Sequence, residues 1–124
     1  MRRNIALALT LAAFAAPALA ETGIMTGDSS LGPVLTDANG MTLYIFDKDK
    51  DGVSACYDEC AANWPPLMAP EGAKAEGDYG ITERKDDTYQ WTYKGMPLYT
   101  WVKDTKPGDV TGDGVKDVWH AAKP

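Results

Sequence analysis

The residues able to do chemistry fall in three places. Asp47-Lys48-Asp49-Lys50-Asp51-Gly52 sets carboxylates at alternate positions with a glycine at the sixth, the opening half of an EF-hand calcium loop. The second half does not follow. Ser54 stands at the eighth position, Asp58 replaces the longer bidentate glutamate at the twelfth, Cys56 lies between them, and nothing before Asp47 has a helical pattern. Turn chemistry, in which Asp and Gly serve a loop, accounts for the stretch, and calcium held by Asp47, Asp49 and Asp51 is its alternative. Cys56 and Cys60, four apart, are the only cysteines, and in an exported protein they are expected to form one disulfide. With His120, the single histidine, and with Met41, Met68 or Met96, they also supply the soft sulfur and imidazole that suit copper, so a periplasmic copper-binding or redox protein is the second reading.

Side-chain catalysis needs a nucleophile, a base and a group to orient the base, and the chain is poor in all three. Ser29, Ser30 and Ser54 have no motif around them, no glycine loop is built to cradle phosphate, and no His/Cys cluster has zinc spacing. Asp49 and Asp104 could be drawn as an acid/base couple. Each, however, stands where a strand ends and a loop begins, where Asp side chains accept bonds from backbone N–H groups. The expectation is a protein that is not an enzyme.

The elements that position these residues come from one phrase written twice. Gly-Met-Thr-Leu-Tyr-Ile-Phe-Asp-Lys-Asp at 40–49 returns as Gly-Met-Pro-Leu-Tyr-Thr-Trp-Val-Lys-Asp at 95–104, six of ten positions being identical at an offset of 55, and the same offset carries Trp64 onto Trp119. Two copies of one unit are implied. Each phrase follows a turn signal, Asn39-Gly40 or Lys94-Gly95, after a strand-like run (34–37 and 89–93). Both read as hairpins, with Asn-Gly the stronger type I′ signal. Along each returning strand a period of two puts Tyr44 with Phe46, and Tyr99 with Trp101, on one face, and Met41, Leu43, Ile45, Met96 and Leu98 on the other. Neither face is polar, which places both strands at the centre of the fold, covered on two sides.

Tyr44, Phe46 and Asp49, then Tyr99, Trp101 and Asp104, spell Tyr-x-aromatic-x-x-Asp twice. This motif, the stretch from Cys56 to Leu67 and the closing Val118-Trp119-His120 resemble a bacterial family of secreted or lipoprotein repeats of unsettled function. The resemblance covers nearly all of the chain after residue 20. It implies a compartment and a fold rather than an activity.

Residues 1–20 carry Arg2 and Arg3, an apolar run from Ile5 to Ala16, and Ala18-Leu19-Ala20 before Glu21, the layout of a secretory signal peptide cleaved after Ala20. The apolar run is short for a membrane span, and no cysteine stands at the cleavage point to take lipid, so a soluble periplasmic or secreted protein without a membrane anchor is expected. Removing the segment changes the formal charge from 12 − 18 = −6 to 10 − 18 = −8, which argues against nucleic acid or an anionic membrane as partner. An envelope protein or a small ligand is left. Residues 21–124 suffice for one domain, with repeats at about 33–70 and 88–124 and a linker at 70–77.

The core material, four tryptophans and six tyrosines with few leucines or isoleucines, suits short twisted strands. Aromatic rows can also line a sugar-binding face, although core packing is the simpler account. The only stretch of helical character runs from Ser54 to Asn63 and is stopped by Pro65-Pro66. Strands are expected at 80–84, 88–93, 96–102 and 118–122. The fold class is therefore mostly β, a small antiparallel domain of two pseudo-repeated hairpin units with one short helix.

Overall fold

Short strands dominate because the apolar residues recur at a period of two and turn residues interrupt them every few positions. The computed structural model describes residues 22–124. The expected signal segment 1–20 and its cleavage site at Ala20/Glu21 lie outside the described residues. In chain order the elements are β1 (Met25–Gly27), β2 (Val34–Thr36), β3 (Tyr44–Phe46), α1 (Glu59–Asn63), β4 (Met68–Ala69), β5 (Tyr79–Glu83), β6 (Tyr89–Tyr93), β7 (Met96–Pro97), a 3-10 turn at Val115–Asp117, and β8 (Trp119–Ala121). All the strand pairs are antiparallel: β1 with β2, β3 with β8, and β6 with β5 along one edge and with β4 and β7 along the other. Over the described residues the protein is mostly β with one short helix, in two pseudo-repeated hairpin units. β1 and β5 precede the phrase-bearing hairpins of the two units.

The two phrases meet back to back. Tyr44 N donates to Tyr99 O at 2.7 Å and Tyr99 N to Tyr44 O at 3.0 Å, so equivalent residues of the two copies pair with each other. From that bridge each phrase runs outward along the closing segment of the other copy. Phe46 pairs with Trp119 and Tyr44 with Ala121 in the β3/β8 ladder. In the equivalent ladder, Thr100 N donates to Pro65 O and Val102 N to Asn63 O. The expected strand 96–102 is thus one extended segment whose partner changes from β6 to Tyr44 to residues 63–66, and only β7 is regular sheet.

The two faces of the phrases build two cores, as the period of two requires. Tyr44, Phe46 and Tyr99 belong to a cluster with Val34, Cys56, Trp64, Trp119 and Ala121, whereas Leu43 and Leu98 belong to a second with Ile24, Leu35, Ala69, Trp91 and Ala122. Leu43, Tyr44, Leu98 and Tyr99 are 0% exposed. Burying one such side chain stabilises by about 1.5–3 kcal/mol, so these four positions tolerate little change.

Two local expectations are corrected. Asn39-Gly40 is not the type I′ turn: only Gly40 has positive φ, at 86°, and the Asp37 carboxylate accepts from the N–H groups of Asn39 and Met41 to close a longer loop. Asp37 competes for the turn and wins it. The type I′ turn is at Lys94-Gly95, where φ is 49° and 83°. The helix is also shorter than 54–63, because Asp58 takes φ 57° and breaks the stretch just before Glu59.

A lysine in the left-handed region carries a Cβ clash that asparagine tolerates better, so Lys94→Asn is expected to raise unfolding free energy by about 0.5–1 kcal/mol. Urea denaturation measures it, and a fall in stability would show that the lysine makes a compensating contact.

Candidate functional site

The motif tyrosines and aspartates face inward and are exchanged between the copies. Tyr44 Oη donates to Asp104 Oδ2 at 2.6 Å, and Tyr99 Oη donates to Asp49 Oδ2 at 2.8 Å. The other oxygen of each carboxylate holds the loop that follows it: Asp49 Oδ1 accepts from Ala55 N at 2.7 Å, and Asp104 Oδ1 from Thr111 N at 3.0 Å and the Thr111 hydroxyl. Burial pushes both phenols well above the ordinary tyrosine range, reinforced at Tyr44 by its bond to Asp104 and at Tyr99 by the Asp49 charge. Burial likewise raises the Asp49 carboxyl. Each phenol stays protonated and donates, which is what binding a carboxylate requires.

On one side this exchange continues into a polar network that the sequence does not announce. Ser54 Oγ lies 2.6 Å from Tyr99 Oη and accepts from Arg84 Nη1 at 3.0 Å. Arg84 is itself buried, donating to Gln90 Oε1 and to the Cys56 carbonyl, both at 2.7 Å, with its guanidinium 4.3 Å from the Tyr57 ring centre. Gln90 passes the chain on to Leu98 O at 2.8 Å. Arg84 follows β5 between Glu83 and Lys85, a context that reads as solvated charge, so nothing local marks it as buried. On the other side Gly112 N donates to Tyr44 Oη at 3.2 Å. A Cβ at Gly112 would lie 2.8 Å from Trp64 Cη2 and 3.0 Å from Tyr44 Cε2, so only glycine lets the backbone approach here.

The motif aromatics and the repeated tryptophans form a single stack. Phe46 lies on Trp119 (4.1 Å between ring centres, planes 10° apart), Trp119 on Trp64 (3.8 Å, 2°), and Trp64 on Trp101 (3.9 Å, 23°). The order alternates between copies. Tyr44 meets Trp64 edge-on, and Tyr99 meets Trp119 in the same way, so the arrangement keeps the repeat symmetry. A groove of about 430 Å³ opens along this stack, lined by its four rings and by Lys48, Glu59, Cys60, Asn63, Val115, Lys116 and Val118. That size is in the range of small-molecule sites.

The remaining candidates are placed as follows. Cys56 and Cys60 are disulfide-bonded, with Cα atoms 5.3 Å apart, and the bridge ties α1 to the buried Cys56, since no residue of α1 is itself buried. His120 pairs with Ile45 across the β3/β8 ladder and places Nε2 2.8 Å from Asp47 Oδ2. Cys56, Cys60 and His120 are therefore engaged separately. Asp49 turns inward to Tyr99 and Ala55 while Asp47 meets His120, so Asp47, Asp49 and Asp51 do not converge either. Among the described residues no three His, Cys, Asp or Glu side chains are grouped to hold a metal ion.

The geometry defines a class first: a two-copy β module whose motif is an internal clasp and whose accessible site is an aromatic-floored groove. The chain belongs to the family described as a secreted repeat of unknown function, which matches it at 25–68 and again at 80–123. No curated protein and no solved structure shows significant similarity to it. No helix among the described residues is long and apolar enough to cross a membrane.

Two predictions follow from the clasp. Asp49→Ala and Asp104→Ala each strand a phenol and a backbone N–H, and each is expected to cost about 1–3 kcal/mol. The loss should be larger at Asp49, which faces Arg84. Variants that melt like the parent would show that neither carboxylate holds the fold. Because the Asp49 carboxyl is raised above its ordinary 3.8, the native state keeps a proton that the unfolded chain has released, and this contribution to stability is lost as pH rises from about 3.8 through the folded value. Parent stability minus Asp49→Asn stability should therefore fall across that window in paired urea titrations. A flat difference would contradict it.

Proposed function

We propose that this protein is an exported, non-catalytic binding or accessory module of the cell envelope, and that its ligand enters the groove over the ring stack. One observation carries the reading: the four stacked rings floor an open groove of about 430 Å³ whose rim brings together Lys48, Lys116, Glu59 and Asn63. A concave site of that size, apolar on its floor with a few polar groups at its rim, is the usual form of a small-molecule site.

A non-catalytic role is supported by where the titrating groups sit. Both Tyr–Asp pairs are buried and fully bonded, and neither lines the groove. His120 is bonded to an exposed carboxylate with no nucleophile at hand.

The test uses tag-free mature protein from the periplasm. Melting of the parent and of Lys48→Ala and Trp101→Ala is followed across a panel of small organic acids, sugars and short peptides. At least one class should raise the parent midpoint and lose its effect in both variants. A panel with no such class, or with a member that is turned over, counts against the proposal. One Cu(I) bound tightly by the reduced protein, and lost on both His120→Ala and Cys56→Ser, would replace it with the copper reading.

A further inference from the structure

Resting on that reading of the groove, the identity of its ligand follows from which parts of the rings are left to meet one. Trp119 is covered on one face by Phe46 and on the other by Trp64, and Trp64 by Trp119 and Trp101. The Lys103 ammonium lies 5.8 Å from the centre of the Trp101 ring. Sugars dock by laying C–H groups on open aromatic faces, and the two central indoles offer none. What they present is edges, where C–H and N–H carry the positive end of the ring quadrupole. The complement of a positive edge is the face of another π system or an acceptor oxygen.

Charge selects further. Lys48 and Lys116 oppose a single carboxylate, Glu59, so the groove lining is net positive in a chain whose formal charge is −6. Asn63 adds an amide to the same rim. Lys116 is held at φ 53°, a conformation that a glycine would adopt more easily. We propose that the groove takes a small planar carboxylate, an aromatic or heteroaromatic acid whose ring crosses the indole edges and whose carboxylate meets Lys48 and Lys116.

The experiment follows the four indole N–H resonances of ¹⁵N-labelled mature protein. Trp91 is the internal control, being buried in the other cluster. The probes are 2-naphthoate, its uncharged analogue 2-naphthamide, cyclohexanecarboxylate, which keeps the charge without a π face, and glucuronate. 2-Naphthoate should shift Trp64, Trp101 and Trp119 saturably and leave Trp91 in place. Naphthamide and cyclohexanecarboxylate should bind at least fivefold more weakly. Lys116→Gly should melt no lower than the parent yet bind 2-naphthoate at least fivefold more weakly, which separates ligand binding from folding. Equal affinity for naphthoate and naphthamide overturns the anionic class. Glucuronate acting at lower concentration than naphthoate overturns the planar class while leaving the groove a binding site. If no probe moves the three resonances, the class is wrong, and if the melting panel is also silent the binding reading fails with it.

Discussion

The structure depends on a reciprocal hydrogen bond: each copy's tyrosine donates to the other copy's aspartate. A buried carboxylate without donors is costly, and a buried phenol without an acceptor costs about 1–3 kcal/mol, so neither copy can satisfy its own motif alone. Tyr44 and Tyr99 already bond to each other through their backbones, which sets the two phenols pointing past one another toward opposite loops. Those loops are fixed in turn by the second carboxylate oxygen, at Ala55 and at Thr111. Removing one aspartate therefore releases a phenol in one copy and a loop in the other, and the two copies are joined by obligation rather than by a linker.

From this clasp the rest of the packing follows. With the phrases back to back, the only strands left to pair with their outer halves are the closing segments of the opposite copies. These segments deliver Trp64 beneath Trp101 and Trp119 beneath Phe46. The central contact between Trp64 and Trp119 then lies where the copies meet. Stacked pairs add about 0.5–1.5 kcal/mol each beyond the area they bury, so the stack strengthens an arrangement that the hydrogen bonds specify. The polar exchange decides which strands meet, and the aromatic rings stabilise the result.

Much of this was legible in the sequence, and what was not has a physical reason. Period-two patterning assigned Tyr44, Phe46 and Tyr99 to one core and Leu43 and Leu98 to another, because a strand covered on both faces must be apolar on both. The aspartates as acceptors of backbone N–H were readable from their place at strand ends. The partner of each tyrosine was not, since a repeat offset of 55 states which positions are equivalent and not which are near. Asn39-Gly40 misled because Asp37, two residues earlier, supplied a competing acceptor. Arg84 was hidden among charged neighbours, and only the tertiary position of Ser54, Gln90 and the Cys56 carbonyl makes its burial affordable. The groove was invisible for the same reason as the stack, being a property of two segments some 55 residues apart.

The repeat also shows which parts of the groove the two copies share. At the offset of 55 the groove floor is made of equivalent pairs, Phe46 with Trp101 and Trp64 with Trp119, while the rim, apart from Lys48 which answers to Lys103, is made of unlike ones: Glu59 answers to Gly114, Cys60 to Val115, Ala61 to Lys116 and Asn63 to Val118. Residues that build the clasp and the floor are constrained twice, once in each copy, because a change on one side unbalances a contact shared with the other. Rim residues share no such contact. They can differ between copies without disturbing the fold, and here they differ in charge, in polarity and in backbone conformation, with a helix on one side and a 3-10 turn on the other. A symmetric floor with an asymmetric rim would give the ligand proposed for the groove one orientation out of two.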